Sequence, residues 1–219
     1  MAESNWTLTK WADRTYVDDL MVTPELVGGA AQGYTVHKRR LRGGPSDGVD
    51  VVHIDNGTLS FDVLPTRGMN IWKAWIGGQP IGWNSPVRGP VNPAFVPLAD
   101  PSGLGWLDGF DELLSRCGLE SNGAPEFDGQ QLKYGLHGRI SNTPAHQVDL
   151  RVDGDRGEIT LVGIVDETRF QFSKLRLFST ITTTVGEPII RIRDTIQNLS
   201  ASQVEIQLLY HVNFGPPLL

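Results

Sequence analysis

The sequence holds a single cysteine, Cys117, among 219 residues. No intrachain disulfide can form, and the chain reads as a protein of a reducing, cytoplasmic compartment. It has no run approaching 18 uninterrupted apolar residues, which excludes a helical membrane span. Its N-terminus, MAESNWTLTKWADR, lacks a basic stretch followed by an apolar core, so no secretory signal is visible. Cations are not in excess either. Lys and Arg number 19 against 25 Asp and Glu, a formal net charge of -6. That balance argues against a nucleic-acid partner, because phosphate binding needs clustered positive charge. The one basic run, HKRRLR at 37–42, is short and reads as a solvated strand or loop. Internal repeats and low-complexity tracts are missing, and 39% hydrophobic with 20% charged residues excludes a disordered chain.

What is abundant is punctuation, with 25 Gly and 14 Pro, as expected for many strands joined by tight turns. VDVVHID and TLSFDVLP are strand-like runs separated by Asn56-Gly57, a hairpin signal. NIWKAWIGGQPIGW repeats the scheme with Gly77-Gly78 as its turn. Residues 84–146 read differently: they are rich in Pro and Gly, with a short helix expected near 107–116. A loop-rich stretch of that length inside a compact domain points to function.

From residue 147 onward a period of two dominates. Leu175, Leu177, Ile181, Thr183 and Val185 share one face, with a local inversion at Phe178 and Ser179. Ile190, Ile192, Asp194 and Ile196 follow after the turn at Gly186-Glu187-Pro188. Last come Val204, Ile206, Leu208, Tyr210 and Val212, with Glu205, Gln207, Leu209, His211 and Asn213 opposite. Long consecutive strands with short turns predict an all-β fold, an antiparallel β-sandwich or barrel, in a single domain over 1–219. The chain stops at FGPPLL directly after a well-patterned strand, where a sheet edge would be left uncovered. The expectation is a fold incomplete at its C-terminus.

Three segments carry residues suited to chemistry. Arg67 sits between Pro65 and Gly68 at the mouth of a strand, placed either to reach a ligand hydroxyl or to form a turn salt bridge. His137 lies in Leu136-His137-Gly138, where glycine permits close backbone approach, and Arg139 and Asn142 follow it. Trp72, Trp75, Trp83 and Trp106 could offer a sugar an aromatic face or could simply be core. His211 falls on the polar face of the last strand beside Asn213. A neutral imidazole there exchanges a proton near pH 7, unless it is a hydrogen-bonded sheet histidine.

These residues resemble a known pattern. Leu136-His137-Gly138, followed by Tyr210-His211-Val212-Asn213-Phe214, is similar to the two histidine motifs of the aldose-1-epimerase (galactose mutarotase-like) family. The chain further resembles an uncharacterised branch of that superfamily, whose R-G-M-[DN]-I, G-W-x-S-P, G-L-G-W-L, C-G-L and L-H-G-R-I-S-x-T-P-A pattern recurs between Arg67 and Ala145. The resemblance implies a supersandwich of β-sheets and a sugar site with His211 as acid and His137 at the ring oxygen. Arg67, Arg139, Asn142, Glu120 and Asn213 would bind the substrate, an aldose, without a cofactor. Family members use a glutamate base on a strand beyond the second histidine, and no equivalent is visible here. Tyr210 and Gly215 also depart from the family's N-H-x-Y-F-N pattern. Two readings stay open: an aldose 1-epimerase, and a non-catalytic carbohydrate-binding β-sandwich. A metal site on the two histidines would lack local ligand spacing and a recognisable third ligand.

Overall fold

The computed structural model describes residues 2–216 and 218. The first half of the chain contributes β1 (Glu3–Lys10), β2 (Thr15–Tyr16), β3 (Asp19–Val22), β4 (Thr35–Arg40), β5 (Asp50–Asp55), β6 (Leu59–Leu64), β7 (Asn70–Ile76) and β8 (Gln79–Ile81). The loop-rich centre adds β9 (Leu114–Leu119), β10 (Glu126–Asp128) and β11 (Gln131–Tyr134). The last third supplies β12 (Gln147–Asp153), β13 (Glu158–Thr168), β14 (Lys174–Thr184), β15 (Arg191–Asn198) and β16 (Gln207–Val212).

Two antiparallel sheets face each other. One runs β15-β14-β13-β12-β1-β2, and the other runs β16-β9-β7-β6-β5-β4-β3 with β8 beside β7. The small hairpin β10-β11 stands apart. One apolar cluster joins the sheets, drawing Val52, Ile54, Phe61, Val63 and Ile71 from the second and Leu150, Leu161, Val165, Leu177 and Ile181 from the first. The expected β-sandwich is what the chain forms.

The Asn56-Gly57 hairpin forms as expected, with Asp55 opposite Ser60. Only Gly57 takes a positive φ, of 86°, and a Cβ there would lie 2.8 Å from the Gly33 carbonyl oxygen. Asn56 does something the turn signal did not convey. Fully buried, it accepts from the Thr58 and Leu59 amides and donates across to Thr183 Oγ1, the Thr184 carbonyl and the Glu187 carbonyl. One turn residue thereby fastens the two sheets together.

Several expectations are corrected. The helix near 107–116 is a 3-10 turn over Gly105–Gly109 followed by β9. The basic run lies largely in β4, as a strand, but it is not wholly solvated, because Lys38 is buried and donates to Asp50 at 2.7 Å, which also receives Arg40. Alternation along β14 continues unbroken through Phe178 and Ser179. Ser179 is buried because it accepts from Arg116 Nη2 at 2.7 Å, a polar residue on the inner face serving a polar partner. Finally, Ile206, Tyr210 and Val212 are exposed rather than core. The cause is position: among the described residues β16 is the last strand of its sheet and pairs with β9 alone.

Candidate active site

Two buried arginines shape the region that carries the histidines. Arg67, in the 3-10 turn after β6, is 1% exposed and spends its donors internally. Its Nε donates to Glu112, Nη1 to the Val91 carbonyl and Asn142 Oδ1, and Nη2 to the Gly109 carbonyl. Burial works against an ionised Glu112, but the Arg67 charge and hydrogen bond outweigh it and hold the carboxyl below the usual carboxylate range. Glu112 also accepts from Asn70, Ser115 and the Asp111 amide. Of the two roles expected for Arg67, the structure shows the salt bridge, and the residue braces the loops around the site. Asn142 is buried beside it, with Oδ1 taken by Arg67, and belongs to the same brace.

Arg116, on β9, is the second brace. It pairs with Asp194 on β15 at 2.6 Å, both side chains being at most 1% exposed. It also donates to Ser179 and to the Met69 and Gly68 carbonyls. Tyr210 Oη donates to Asp194 at 2.9 Å, tying β16 to the opposite sheet. Burial first, then the Asp194 charge and hydrogen bond, pushes the Tyr210 hydroxyl up to about 12.

On this frame β16 presents His211 from the position opposite Ser115 of β9. His137 arrives from the other side on a clamped loop. Its amide donates to the Gly123 carbonyl at 2.9 Å and its carbonyl accepts from Gly118. The backbone here is left-handed, with φ of 57° at His137 and 69° at Gly138. A Cβ at Gly138 would strike the Ser121 and Gly118 carbonyls, so only glycine fits after the histidine. A left-handed non-glycine residue costs roughly 1–2 kcal/mol and persists where its surroundings dictate it.

The two imidazoles meet edge to face, ring centroids 5.4 Å apart. Trp106 lies against both, at 4.7 Å from His137 and 6.3 Å from His211, and Phe110 packs on His211 at 5.1 Å. Trp83 extends the aromatic group through Phe110 at 5.0 Å and donates its Nε1 to the Glu112 carbonyl. Trp72 is bound to Asp111 and Trp75 lies near His53, both away from this group. Burial, and then the neighbouring His211, lowers the His137 pKa below 6.5. His137 is therefore held neutral at pH 7, with an Nδ1 that is buried and unbonded. Asn213 uses its amide to secure the end of β16, donating to the Glu112 and His211 carbonyls.

Beside the imidazoles opens a cleft of about 410 Å³. Its wall includes Trp106, Leu136, Gly138, Glu120, Arg139 and Glu167. The histidine rings are not in that wall; Trp106 is the element common to both. Glu120 and Arg139 approach to 3.7 Å within it. Glu167 escaped the sequence reading. It is 3% exposed and accepts from the Leu119 and Glu120 amides, and burial raises its pKa. The available signal was its register, since Ile159, Leu161, Gly163, Val165 and Glu167 share the inner face of β13. Among the described residues no group of three or more His, Cys, Asp or Glu side chains could hold a metal ion. None of their helices is long and apolar enough to cross a membrane.

The fold matches that of a solved relative. The crystal structure of a putative aldose 1-epimerase from Klebsiella pneumoniae subsp. pneumoniae MGH 78578 superposes with a TM-score of 0.93 at 32% identity. The match covers 98% of this chain and 56% of that one, so the chain spans about half the length of that relative. The class is therefore the aldose-1-epimerase-type antiparallel β-sandwich. Within it, residues 46–219 match the family described as "Domain of unknown function (DUF4432)", and the chain belongs to that family. No curated protein matches it.

Proposed function

We propose that the chain carries the sugar-binding and acid half of an aldose 1-epimerase site, interconverting sugar anomers by ring opening. The observation that carries this reading is the edge-to-face His137–His211 pair backed by Trp106. In the reaction, a base takes the anomeric hydroxyl proton, the bond from C1 to the ring oxygen breaks, and the ring oxygen takes a proton from His211. The open aldehyde turns about C1–C2 and closes from the other face. His137, kept neutral by burial, serves as hydrogen-bond partner to the ring oxygen. Arg139 and Glu120 are placed to bind hydroxyls in the adjoining cleft.

No carboxylate of this site is assigned as the base. Glu112 is occupied by Arg67, Glu120 leans toward Arg139, and Glu167 is held by backbone amides. In the mutarotases that the chain resembles, that base lies on a strand following the second histidine. A cytoplasmic setting accords with the single buried thiol of Cys117, which burial pushes to about 12.

The test is saturation-transfer NMR between the anomers of several aldoses, with the full-length gene product and its His211→Ala variant. Accelerated exchange that His211→Ala reduces by at least about a hundredfold is expected, the usual contribution of a general acid. Exchange by neither protein sinks the proposal. Binding of a sugar without exchange would instead favour a carbohydrate-binding module, a reading supported by the cleft with Glu120, Arg139 and Trp106 in its wall, which lies outside the imidazole pair.

A further inference from the structure

The cleft across Trp106 from the imidazoles is cationic in a chain that is acidic overall. Lys133, Arg139 and Arg169 line it against Glu120 and Glu167, while the whole chain carries -6. Two of these cations are steadied by aromatic rings: Lys133 lies over Tyr134 at 4.9 Å and Arg169 over Phe172 at 4.6 Å. Tyr134 and Phe172 are themselves in the wall. Arg139 and Glu120 form an ion pair at 3.7 Å, too long for a hydrogen bond, so the guanidinium keeps its donors for another acceptor.

Near this wall lie buried polar atoms without a hydrogen-bond partner among the described residues. Trp106 Nε1 and Ser121 Oγ belong to residues that line the cleft, and Asn122 Oδ1 and His137 Nδ1 belong to their sequence neighbours. Buried polar groups are nearly always paired, so orphans gathered at one cavity mark where a bound molecule supplies the missing partners. Within the wall Trp106 Nε1 can only donate and Ser121 Oγ can donate, which suits an acceptor-rich group.

We infer that this cleft is a subsite for an anionic substituent, a carboxylate or phosphate, on the aldose whose ring lies against His137 and His211. Arg139 is its principal contact, since guanidinium matches either oxyanion in a forked geometry, with Lys133 and Arg169 at the rim. The inference rests on the anomer-exchange reading for the placement of the ring. It gives the substrate class a charge that the paired histidines alone do not specify.

The experiment is isothermal titration calorimetry of the full-length protein, at low ionic strength, with glucose, glucuronate and glucose 6-phosphate. At least one acidic sugar is expected to bind about tenfold more tightly than glucose, an advantage reduced by added salt. Whether glucuronate or glucose 6-phosphate binds better distinguishes carboxylate from phosphate. Arg139→Gln, and separately the exposed-rim variant Lys133→Gln, should abolish the preference for the anion, with circular dichroism confirming that each is folded. Arg151→Gln, which removes one exposed charge from β12, should not. Equal binding of all three sugars, or an anion preference untouched by both cleft variants, overturns the inference. Failure of all three to bind does so as well. Anomer exchange measured on the same samples separates the two readings: exchange without anion preference leaves the proposed function standing and removes this subsite. Anion binding without exchange does the reverse.

Discussion

At the residue scale, what the histidine pair needs is rigidity, and two buried ion pairs supply it. Arg116 and Asp194 are worth little as a net gain over apolar residues, because desolvating both charges offsets their attraction. Removing one partner is a different matter. Asp194→Ala would strand the Arg116 guanidinium in the core and also take the partner of Tyr210. The expected loss is about 3–5 kcal/mol, read as a fall in the urea midpoint at unchanged slope. The Tyr210 hydroxyl should then titrate nearer 10, since the Asp194 charge and hydrogen bond are among the causes that raise it. An unchanged midpoint would show that the pair braces nothing. Arg67 illustrates a limit of sequence reading at this scale. Its position in a turn was compatible with a ligand contact or a salt bridge, and only the packing of Glu112, Gly109 and Asn142 around it decides.

At the element scale, much of the architecture was legible because hairpins are local. The β5–β6 and β7–β8 turns sit where Asn56-Gly57 and Gly77-Gly78 place them, and β13 to β15 follow their period of two. What was not legible depends on distant partners. Ser179 looked like a break in an apolar face until Arg116 supplied the reason for a hydroxyl there. Residues 107–116 lacked a regular period, and their 3-10 turn and strand are stabilised by contacts from the turn after β6 and from β7 and β16. His137 and His211 were found by their flanking residues, whereas their meeting at 5.4 Å required the loop clamped by Gly118 and Gly123. Asn56 allows a direct test of how far local and distant roles diverge. Asn56→Ala keeps the hairpin sequence otherwise intact but deletes the bonds to Thr183, Thr184 and Glu187. A turn role alone would cost about 1 kcal/mol, while loss of an inter-sheet fastening with buried groups left unpaired should cost roughly 3 kcal/mol. Denaturant unfolding distinguishes the two values.

At the scale of the whole molecule, the cleft region couples stability to pH through two groups with opposite signs. His137 has its folded pKa lowered below 6.5, chiefly by burial and secondarily by His211. Its contribution is fully present above the unfolded value of 6.5 and is lost as pH falls through the folded pKa, because the unfolded chain binds the proton more readily. Glu167 has its folded pKa raised above 4.5, burial outweighing the two backbone amides and the Arg139 charge. Its contribution is present below 4.5 and is lost as pH rises through the folded pKa. The two effects are separable by substitution. Between pH 7.5 and 5.5 the wild type should lose stability relative to His137→Gln, which has no proton to gain. Over pH 4.5 to 8 the stability of the wild type relative to Glu167→Gln should fall as pH rises. Guanidinium unfolding of the three proteins across this range gives both differences. A His137→Gln difference that does not vary with pH would mean that the imidazole is not held neutral by its surroundings.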